Sequence, residues 1–303
     1  MTLAALLAWY DEPPTFLYRA VTTAIERAGA DVIVAVDGRY ALLGDDDVPV
    51  ESPREQFDAI VEATRGTTAM LVHHRPVEPW PTEMEKRTRL FALAESVLDR
   101  DRDWMLVLDA DFEVVRADRL RERLAAAAAR DLHVAEILLH TPPGPARRGR
   151  VGCPTLMPMR AVFSTRESPI RVDGNHYTYV GRGGRLWGTG GREFVPAADL
   201  LADVLIVHWT WHRPERRVER QYAYYRARDA SGDERTPCER CGERLAVALV
   251  PTDIRDLGSR VDGAWVPVCE GCEPAAVEDA ARQCVRIGVS TDYAGFRVPL
   301  VVE

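Results

Sequence analysis

The sequence predicts a doubly wound α/β fold, in which a mostly parallel sheet carries helices on both faces. Between residues 1 and 140, short apolar runs alternate with amphipathic stretches, the pattern of parallel strands joined by crossover helices. The length of 303 residues suffices for one large α/β domain with an appendage. Hydrophobic residues at 46% and charged residues at 28% are ordinary for a globular protein.

Each predicted strand is a short apolar run, and each predicted helix is the amphipathic stretch that follows one. Glu83–Leu98, for example, has apolar residues at helical spacing, and Trp104–Leu108 is a continuous apolar run of strand length. In chain order, we predict strand Leu3–Trp9, helix Thr15–Gly29, strand Asp31–Val36, helix Pro53–Arg65, strand Thr68–His73, helix Glu83–Leu98, strand Trp104–Leu108, helix Ala117–Ala129 and strand Leu132–Leu139.

The second half of the chain has a different character. Prolines, glycines and arginines predict a loop over residues 141–150. A glycine-rich, irregular β region follows over residues 154–208, and then a polar helix over Pro214–Asp229. A cysteine-containing module over residues 236–273 precedes a short helix and a strand-like tail, Tyr293–Val302.

Charge and hydropathy exclude several classes of function. A net charge of −8 opposes a protein whose main task is to grip nucleic acid, although nucleic acid as an acceptor is not excluded. No apolar run approaches the length of a membrane span. Four of the six cysteines form two Cys-x-x-Cys pairs, which favours a bound metal in a reducing compartment. We therefore expect a cytoplasmic protein.

Two carboxylates follow the apolar run Met105–Leu108 with one residue between them, at Asp109 and Asp111. In open α/β sheets, ligands bind at the carboxyl ends of strands. Hard divalent cations take oxygen ligands there and share them with substrate phosphates. An acidic turn that caps the next helix would give the same pattern. Acids also follow the first two strands, at Asp11 and Asp37, which favours the metal site.

These stretches resemble the family 2 glycosyltransferases of the glycosyltransferase A fold. In that family, an apolar strand ends in a Tyr-Asn-Glu-like turn, a second strand ends in Asp, and a basic helix precedes Leu-x-Asp-x-Asp. The corresponding stretches here are Leu7–Glu12, Val32–Asp37, Lys86–Ala94 and Leu106–Asp111. Asp11 stands where the family usually has Asn, and Gly38 follows Asp37 where a second Asp is usual.

The resemblance implies a Rossmann-like, mixed and mostly parallel sheet and a role for several residues. Asp37 and the Asp11 turn would hold the nucleoside, with Lys86 or Arg87 near it. Asp109 and Asp111 would face the ribose and a manganese or magnesium ion. A late histidine commonly joins the metal in such enzymes, and we assign that role to His208, with His212 as the rival ligand.

Arginines follow His208 at the head of the predicted polar helix, beginning with Arg213. Guanidinium groups and helix N-termini both favour phosphate oxygens, so this stretch suits a diphosphate. A histidine in the core followed by a solvated basic helix would have the same sequence.

An inverting transfer needs a base that takes the proton from the acceptor hydroxyl. Related enzymes often carry a Gly-x-x-His-Glu-like turn at this distance. Here the turn contains Asp173 and His176, and Tyr177 stands where Glu would. We predict Asp173 as the base, with His176 beside it in the acceptor pocket and Glu193 as the alternative base.

The remaining motif is Cys238-x-x-Cys241 followed by Cys269-x-x-Cys272. Two such turns present four thiolates to zinc in a tetrahedral, structural site, and redox-active or free cysteines are the alternative. A small hairpin around Leu245–Val250 and Ala264–Val268 would fill the gap between the pairs.

The sequence therefore predicts a metal-dependent glycosyltransferase that uses a nucleoside-diphosphate sugar linked to uridine, guanosine or thymidine, a hydroxyl acceptor and inverting displacement. Residues 1–232 would form the catalytic domain, with a nucleotide-binding half over 1–140 and an acceptor and metal half over 141–232. Residues 233–303 would form the zinc-ribbon-like module. The alternatives are a nucleotidyltransferase on a similar scaffold and a non-enzymatic zinc-ribbon adaptor for nucleic acid.

Overall fold

The structure is a computed structural model of the whole chain. It describes residues 1–41, 48–142, 155–173, 178–187, 197–214, 217, 248–256, 261–268, 273–286 and 298–299. The chain divides into two compact units, Met1–Gln221 and Tyr222–Glu303. The predicted domain boundary at residues 232 and 233 lies outside the described residues.

The first unit is built on an eight-stranded sheet with helices on both faces. Its strands are β1 Leu3–Ala8, β2 Val32–Val36, β3 Met70–His74, β4 Trp104–Asp109, β5 Phe112–Ala117, β6 Val134–Thr141, β7 Thr155–Ser164 and β11 Asp199–His208. Its helices are α1 Pro14–Glu26, α2 Arg54–Thr64, α3 Glu83–Glu95 and α4 Leu120–Ala129. Strands β8 Arg171–Val172, β9 Tyr179–Gly181 and β10 Gly184–Trp187 form a separate antiparallel sheet.

The strand order in the large sheet is β3-β2-β1-β4-β7-β6-β11-β5. Strands β3, β2, β1 and β4 run parallel to one another, and β6 runs parallel to β11. Strand β7 pairs antiparallel with both β4 and β6, and β5 pairs antiparallel with β11. This architecture confirms the predicted α/β class with a mixed, mostly parallel, Rossmann-like sheet.

Strand β1 shows why the sheet carries helices on both faces. Successive side chains of a strand point to opposite faces. Leu3, Ala5 and Leu7 are buried in one core cluster with residues of α1, α2 and α4. Ala4 and Leu6 belong to a second cluster, with residues of α3 on the other face. A strand that is buried on both faces needs an apolar residue at every position, and β1 supplies one.

Strand β5 was missed in the sequence, where we predicted only a helix over Ala117–Ala129 that in fact begins at Leu120. The strand lies at the edge of the sheet and alternates, with Phe112 and Val114 buried and Val115 exposed. Its partner β11 lies far away in the sequence, so the pairing depends on tertiary contacts that local pattern does not reveal.

The second unit contains an antiparallel hairpin of β12 Ala248–Asp256 and β13 Val261–Val268, which confirms the hairpin predicted between the cysteine pairs. Strand β14 Val298–Pro299 pairs with β12, and helix α5 Glu273–Arg286 packs against β12. The four predicted zinc ligands lie outside the described residues, so the zinc site stays a prediction. Within the described part of the chain, no helix has both the length and the apolar character that a bilayer span requires.

Candidate active site

The ends of three parallel strands form one edge of the large sheet. In the register of β1 with its neighbours, Ala8 pairs with Val36 of β2 and with Asp109 of β4. The turns that follow these strands therefore begin side by side. Strand β11 reaches the same place from the other half of the sheet, because its last residue, His208, pairs with Phe112 of β5.

Asp111 is the central carboxylate of this edge, and its side chain is completely buried. Its Oδ2 lies 3.1 Å from Nε2 of His208, and its Oδ1 lies 3.1 Å from Nη2 of Arg213. Burial favours the neutral acid, but Arg213 and His208 outweigh it and hold the pKa of Asp111 well below its usual range. Asp111 is therefore an ionised carboxylate between a guanidinium and an imidazole.

His208 completes this arrangement from the end of β11. Burial lowers the pKa of its imidazole, but the nearby Asp111 carboxylate raises it more, so the net pKa is above the ordinary value. The ring also meets Phe112 edge-on, with 4.9 Å between ring centroids. The backbone N–H of Trp209 donates to the carbonyl oxygen of Asp111 at 2.9 Å, which fixes the two chain segments together.

Glu12 is a second buried carboxylate in the site, and its sequence position alone indicated no role of its own. Its Oε1 lies 2.9 Å from Nη2 of Arg213 and 2.8 Å from Nε of Arg217. Burial raises the pKa of Glu12, and the two arginines partly offset that rise. Arg213 thus bridges Glu12 and Asp111, and joins the turn after β1 to the turn after β4.

The turn that carries Glu12 has a strained backbone. Asp11 has φ of +52°, in the left-handed region that aspartate enters more readily than most residues. The N–H of Asp11 donates to Oγ of Ser52 at 3.1 Å, and the N–H of Glu12 donates to Oε1 of Gln56 at 3.0 Å. These contacts with the start of α2 hold the turn in a conformation that points Glu12 into the buried network.

Asp109, at the end of β4, pairs with a residue of helix α3. Its Oδ1 accepts a hydrogen bond from Nη2 of Arg87 at 2.7 Å, and Nε of Arg87 donates to Glu83 at 3.1 Å. The Asp109 side chain is 15% exposed, whereas that of Asp111 is fully buried. Of the two carboxylates of the motif, Asp109 is therefore the more exposed.

Lys86 and Asp37, both predicted to lie near the nucleoside, are buried and make internal contacts. Nζ of Lys86 donates to the carbonyl oxygens of Trp9 at 2.6 Å and Gly38 at 2.7 Å. Burial lowers the pKa of Lys86 to about 7, although the negative charge of Asp37 opposes this. Lys86 therefore ties the turns after β1 and β2 to helix α3.

The Asp37 carboxylate accepts hydrogen bonds from the backbone N–H groups of Gly38 and Ser52 and from the Ser52 hydroxyl. Arg75 adds an ion pair at 3.3 Å. Gly38 has φ of +108°, and a Cβ there would lie 2.5 Å from Cγ of Pro76. Direct contact of Asp37 or Lys86 with a nucleoside stays a prediction, and their visible role is to shape the turn after β2.

The donor atoms around Asp111 fit a divalent cation in part. Its carboxylate oxygens are buried and accept no hydrogen bond of good geometry within the described residues, and Nε2 of His208 faces one of them. Oxygen and imidazole nitrogen suit Mn²⁺ or Mg²⁺. In the described ranges, no three His, Cys, Asp or Glu side chains cluster closely enough to hold a metal. The described residues would thus supply two ligands, Asp111 and His208, and phosphate and water could supply others.

The predicted base region is only partly described. Asp173 follows β8, and its side chain is 60% exposed and lies 3.6 Å from Nη2 of Arg171. His176 and Glu193 lie outside the described residues, so the predictions for them stay open. His212 lies in the short turn Thr210–His212 after β11, exposed, with its ring 5.1 Å from that of Trp209. Of the two histidines considered as metal ligands, His208 is therefore the one placed against Asp111.

No family model matches the sequence, and no curated protein matches it. Among solved structures, the chain is similar to residues 1–349 of S. aureus TarS, with a TM-score of 0.40 and 13% identity over 75% of this chain and 64% of that one. It is also similar to 2-C-methyl-D-erythritol 4-phosphate cytidylyltransferase (IspD) of Francisella tularensis, with a TM-score of 0.30 and 11% identity over 55% of this chain and 73% of that one. Similarities this distant do not transfer an activity to this chain.

Proposed function

We propose that this protein is a metal-dependent glycosyltransferase that moves a sugar from a nucleoside-diphosphate sugar to a hydroxyl acceptor. The observation that carries the proposal is the junction of Asp111, His208 and Arg213 at the carboxyl edge of the sheet. Ligands of open α/β sheets bind at this edge. Here one carboxylate contacts both an imidazole and a guanidinium. A carboxylate and an imidazole suit a divalent cation, and a guanidinium suits a diphosphate.

The charges of the site support a requirement for an added cation. Arg213 contacts Glu12 and Asp111, Arg217 contacts Glu12, and Arg87 contacts Asp109 and Glu83. Each of these three described arginines is thus paired with carboxylates of the chain itself. A diphosphate brings further negative charge, which a divalent ion held by Asp111 and His208 would compensate.

Departure of the nucleoside diphosphate is the step that these residues would assist. When bound, a divalent ion supplies Lewis acidity that stabilises the leaving diphosphate. Arg213 and Arg217 would donate N–H groups to phosphate oxygens, since guanidinium groups match them in geometry and charge. Asp109, the more exposed carboxylate, would face the ribose.

The acceptor side of the proposal depends on the predicted base. In direct displacement, one carboxylate takes the proton of the acceptor hydroxyl while that oxygen attacks the anomeric carbon, and the configuration inverts. We keep Asp173 in this role, with His176 beside it and Glu193 as the alternative. Exposure leaves the Asp173 carboxylate accessible to an acceptor.

Nucleotide binding tests the proposal directly. Calorimetry with UDP, GDP and TDP, each with and without Mn²⁺, should show at least one nucleotide whose binding requires the metal. His208→Asn should abolish the metal-dependent part. His133→Asn is the matched control, because His133 pairs with Asp131 at 3.1 Å just before β6, at the amino end of that strand. The absence of binding across the panel with Mn²⁺ present would refute the proposal.

A nucleotidyltransferase is the second candidate, and the turn after β1 opposes it. Such enzymes place a glycine-rich loop there to cradle phosphates with backbone N–H groups. Here Pro13 and Pro14 lack N–H donors, and Glu12 brings a buried negative charge. Product analysis separates the two: release of nucleoside diphosphate from a nucleotide sugar supports the transferase, and release of pyrophosphate from a nucleoside triphosphate supports the alternative.

A further inference from the structure

One buried carboxylate oxygen holds two arginines of the same chain segment. Oε1 of Glu12 contacts Arg213 at 2.9 Å and Arg217 at 2.8 Å. The Glu12 side chain is 1% exposed, while those of Arg213 and Arg217 are 7% and 19% exposed. The carboxylate is thus the inner member of the cluster, and Arg217 is the member nearest to solvent.

The two sides of this contact differ in how firmly they are anchored. Glu12 belongs to a turn fixed by Ser52 and Gln56, directly after the central strand β1. The arginines follow β11, on a segment attached to the sheet through the bond of Trp209 to Asp111. Glu12 therefore helps to fix where both arginines lie, together with Asp111 in the case of Arg213.

A guanidinium that is hydrogen-bonded to one carboxylate oxygen still has further N–H donors. A guanidinium has five N–H groups in a planar fork, and a contact through Nε engages one edge of it. Arg217 meets Glu12 through Nε, and its side chain is partly exposed. The contact with Glu12 thus restricts the orientation of the fork while leaving donors for an anion that arrives from solvent.

We propose that Glu12 is a positioning residue that orients Arg213 and Arg217 toward the diphosphate of the donor. This inference rests on the proposed function. It makes an unusual prediction, because a carboxylate in an anion site would by charge alone weaken anion binding. Positioning requires the opposite result, namely that removal of Glu12 weakens the binding of a diphosphate.

The test compares a diphosphate with a ligand that has no phosphate. The probes are inorganic pyrophosphate with Mn²⁺, the nucleoside diphosphate that the wild type binds, and the corresponding nucleoside. Glu12→Ala should weaken pyrophosphate and nucleoside diphosphate binding at least tenfold and leave nucleoside binding unchanged. Glu12→Gln keeps an oxygen that accepts from Arg217, so its affinity should lie between those of Glu12→Ala and the wild type. Loss of nucleoside binding as well would show that the site has collapsed, which overturns a positioning role.

Arg217→Ala provides a variant that leaves the buried carboxylate with Arg213. Glu12→Gln is then made both in the wild type and in Arg217→Ala, and the loss of pyrophosphate affinity is compared. If Glu12 acts through Arg217, the loss should be smaller in the Arg217→Ala background. Glu136→Gln is the matched control, since Glu136 pairs with Arg160 at 2.9 Å on β6 and β7 and should leave every affinity unchanged.

The outcomes separate the two proposals. A wild type that binds none of the diphosphate probes refutes the proposed function. A wild type that binds them, together with Glu12→Ala that binds them equally well or more tightly, overturns the positioning role and leaves Glu12 as a counter-ion only.

Discussion

Replacement of Asp111 by asparagine tests the buried charge network through stability alone. The change keeps the shape of the side chain but removes its charge between His208 and Arg213, each at 3.1 Å. Breaking a buried ion pair costs about 3–5 kcal/mol. Arg213 retains Glu12 at 2.9 Å and His208 can release its proton, so we expect the lower limit, about 3 kcal/mol. For a unit of this size, that corresponds to a fall in Tm of about 6–12 °C.

Urea unfolding at pH 7, followed by circular dichroism, measures this loss. The control is Asp203→Asn, because Asp203 is 39% exposed and lies 3.6 Å from Arg123, and exposed pairs contribute less than about 1 kcal/mol. The folded pKa of Asp111 is below its unfolded value, so the carboxylate contributes its stability above about pH 4 and loses it as the pH falls further. A loss for Asp111→Asn no larger than that of the control would refute the buried network.

Three further predictions concern the turns and the buried bases. Gly38→Ala should lower the free energy of unfolding, measured in urea, by about 2 kcal/mol or more, because φ at Gly38 is +108° and the added Cβ would clash. The control is Gly66→Ala, where φ is +75° and no described atom lies within 4 Å of the added Cβ, so the loss should be only about 1 kcal/mol. Burial lowers the pKa of Lys86 to about 7, so above that pH the unfolded chain binds more protons than the folded chain does. The free energy of unfolding should therefore rise from about pH 7 to 10 in the wild type but not in Lys86→Met. Asp111 raises the pKa of His208 more than burial lowers it. The stability that protonated His208 contributes is therefore complete below about pH 6.5 and declines as the pH rises through the folded pKa. In His208→Asn, the free energy of unfolding measured across this pH range should not show that decline.

The first half of the fold could be predicted because each strand and helix is marked locally. Strands such as β1 and β4 are buried on both faces and read as unbroken apolar runs, and helices α1 to α3 lie between them. The order of the second half could not be predicted. Strand β7 enters between β4 and β6, and β5 finds its partner β11 only through contacts between distant parts of the chain.

The candidate site was predictable to the same extent. Because acids after adjacent parallel strands must lie at one edge, the positions of Asp109 and Asp111 could be predicted from the sequence, and that of His208 from the apolar run before it. Their roles as ligands stay predictions. The role of Glu12 could not be found in this way, since its partners Arg213 and Arg217 follow it by about two hundred residues. The internal pairing of Asp37 with Ser52 likewise depends on a turn whose geometry the sequence does not show.

The place of β11 between β6 and β5 has a consequence for the order in which the molecule is assembled. Among the described strands, β5 pairs only with β11, so it joins the sheet when β11 is already present or arrives with it. A nascent chain that has emerged only as far as β7 would contain Glu12 and Asp111 without Arg213, Arg217 or His208 as counter-charges. Among the described strands of the first unit, β11 comes last in the chain, so the charge network is completed only once this strand is in place. A chain cut before β11 would lack both this strand and the side chains that compensate the buried carboxylates.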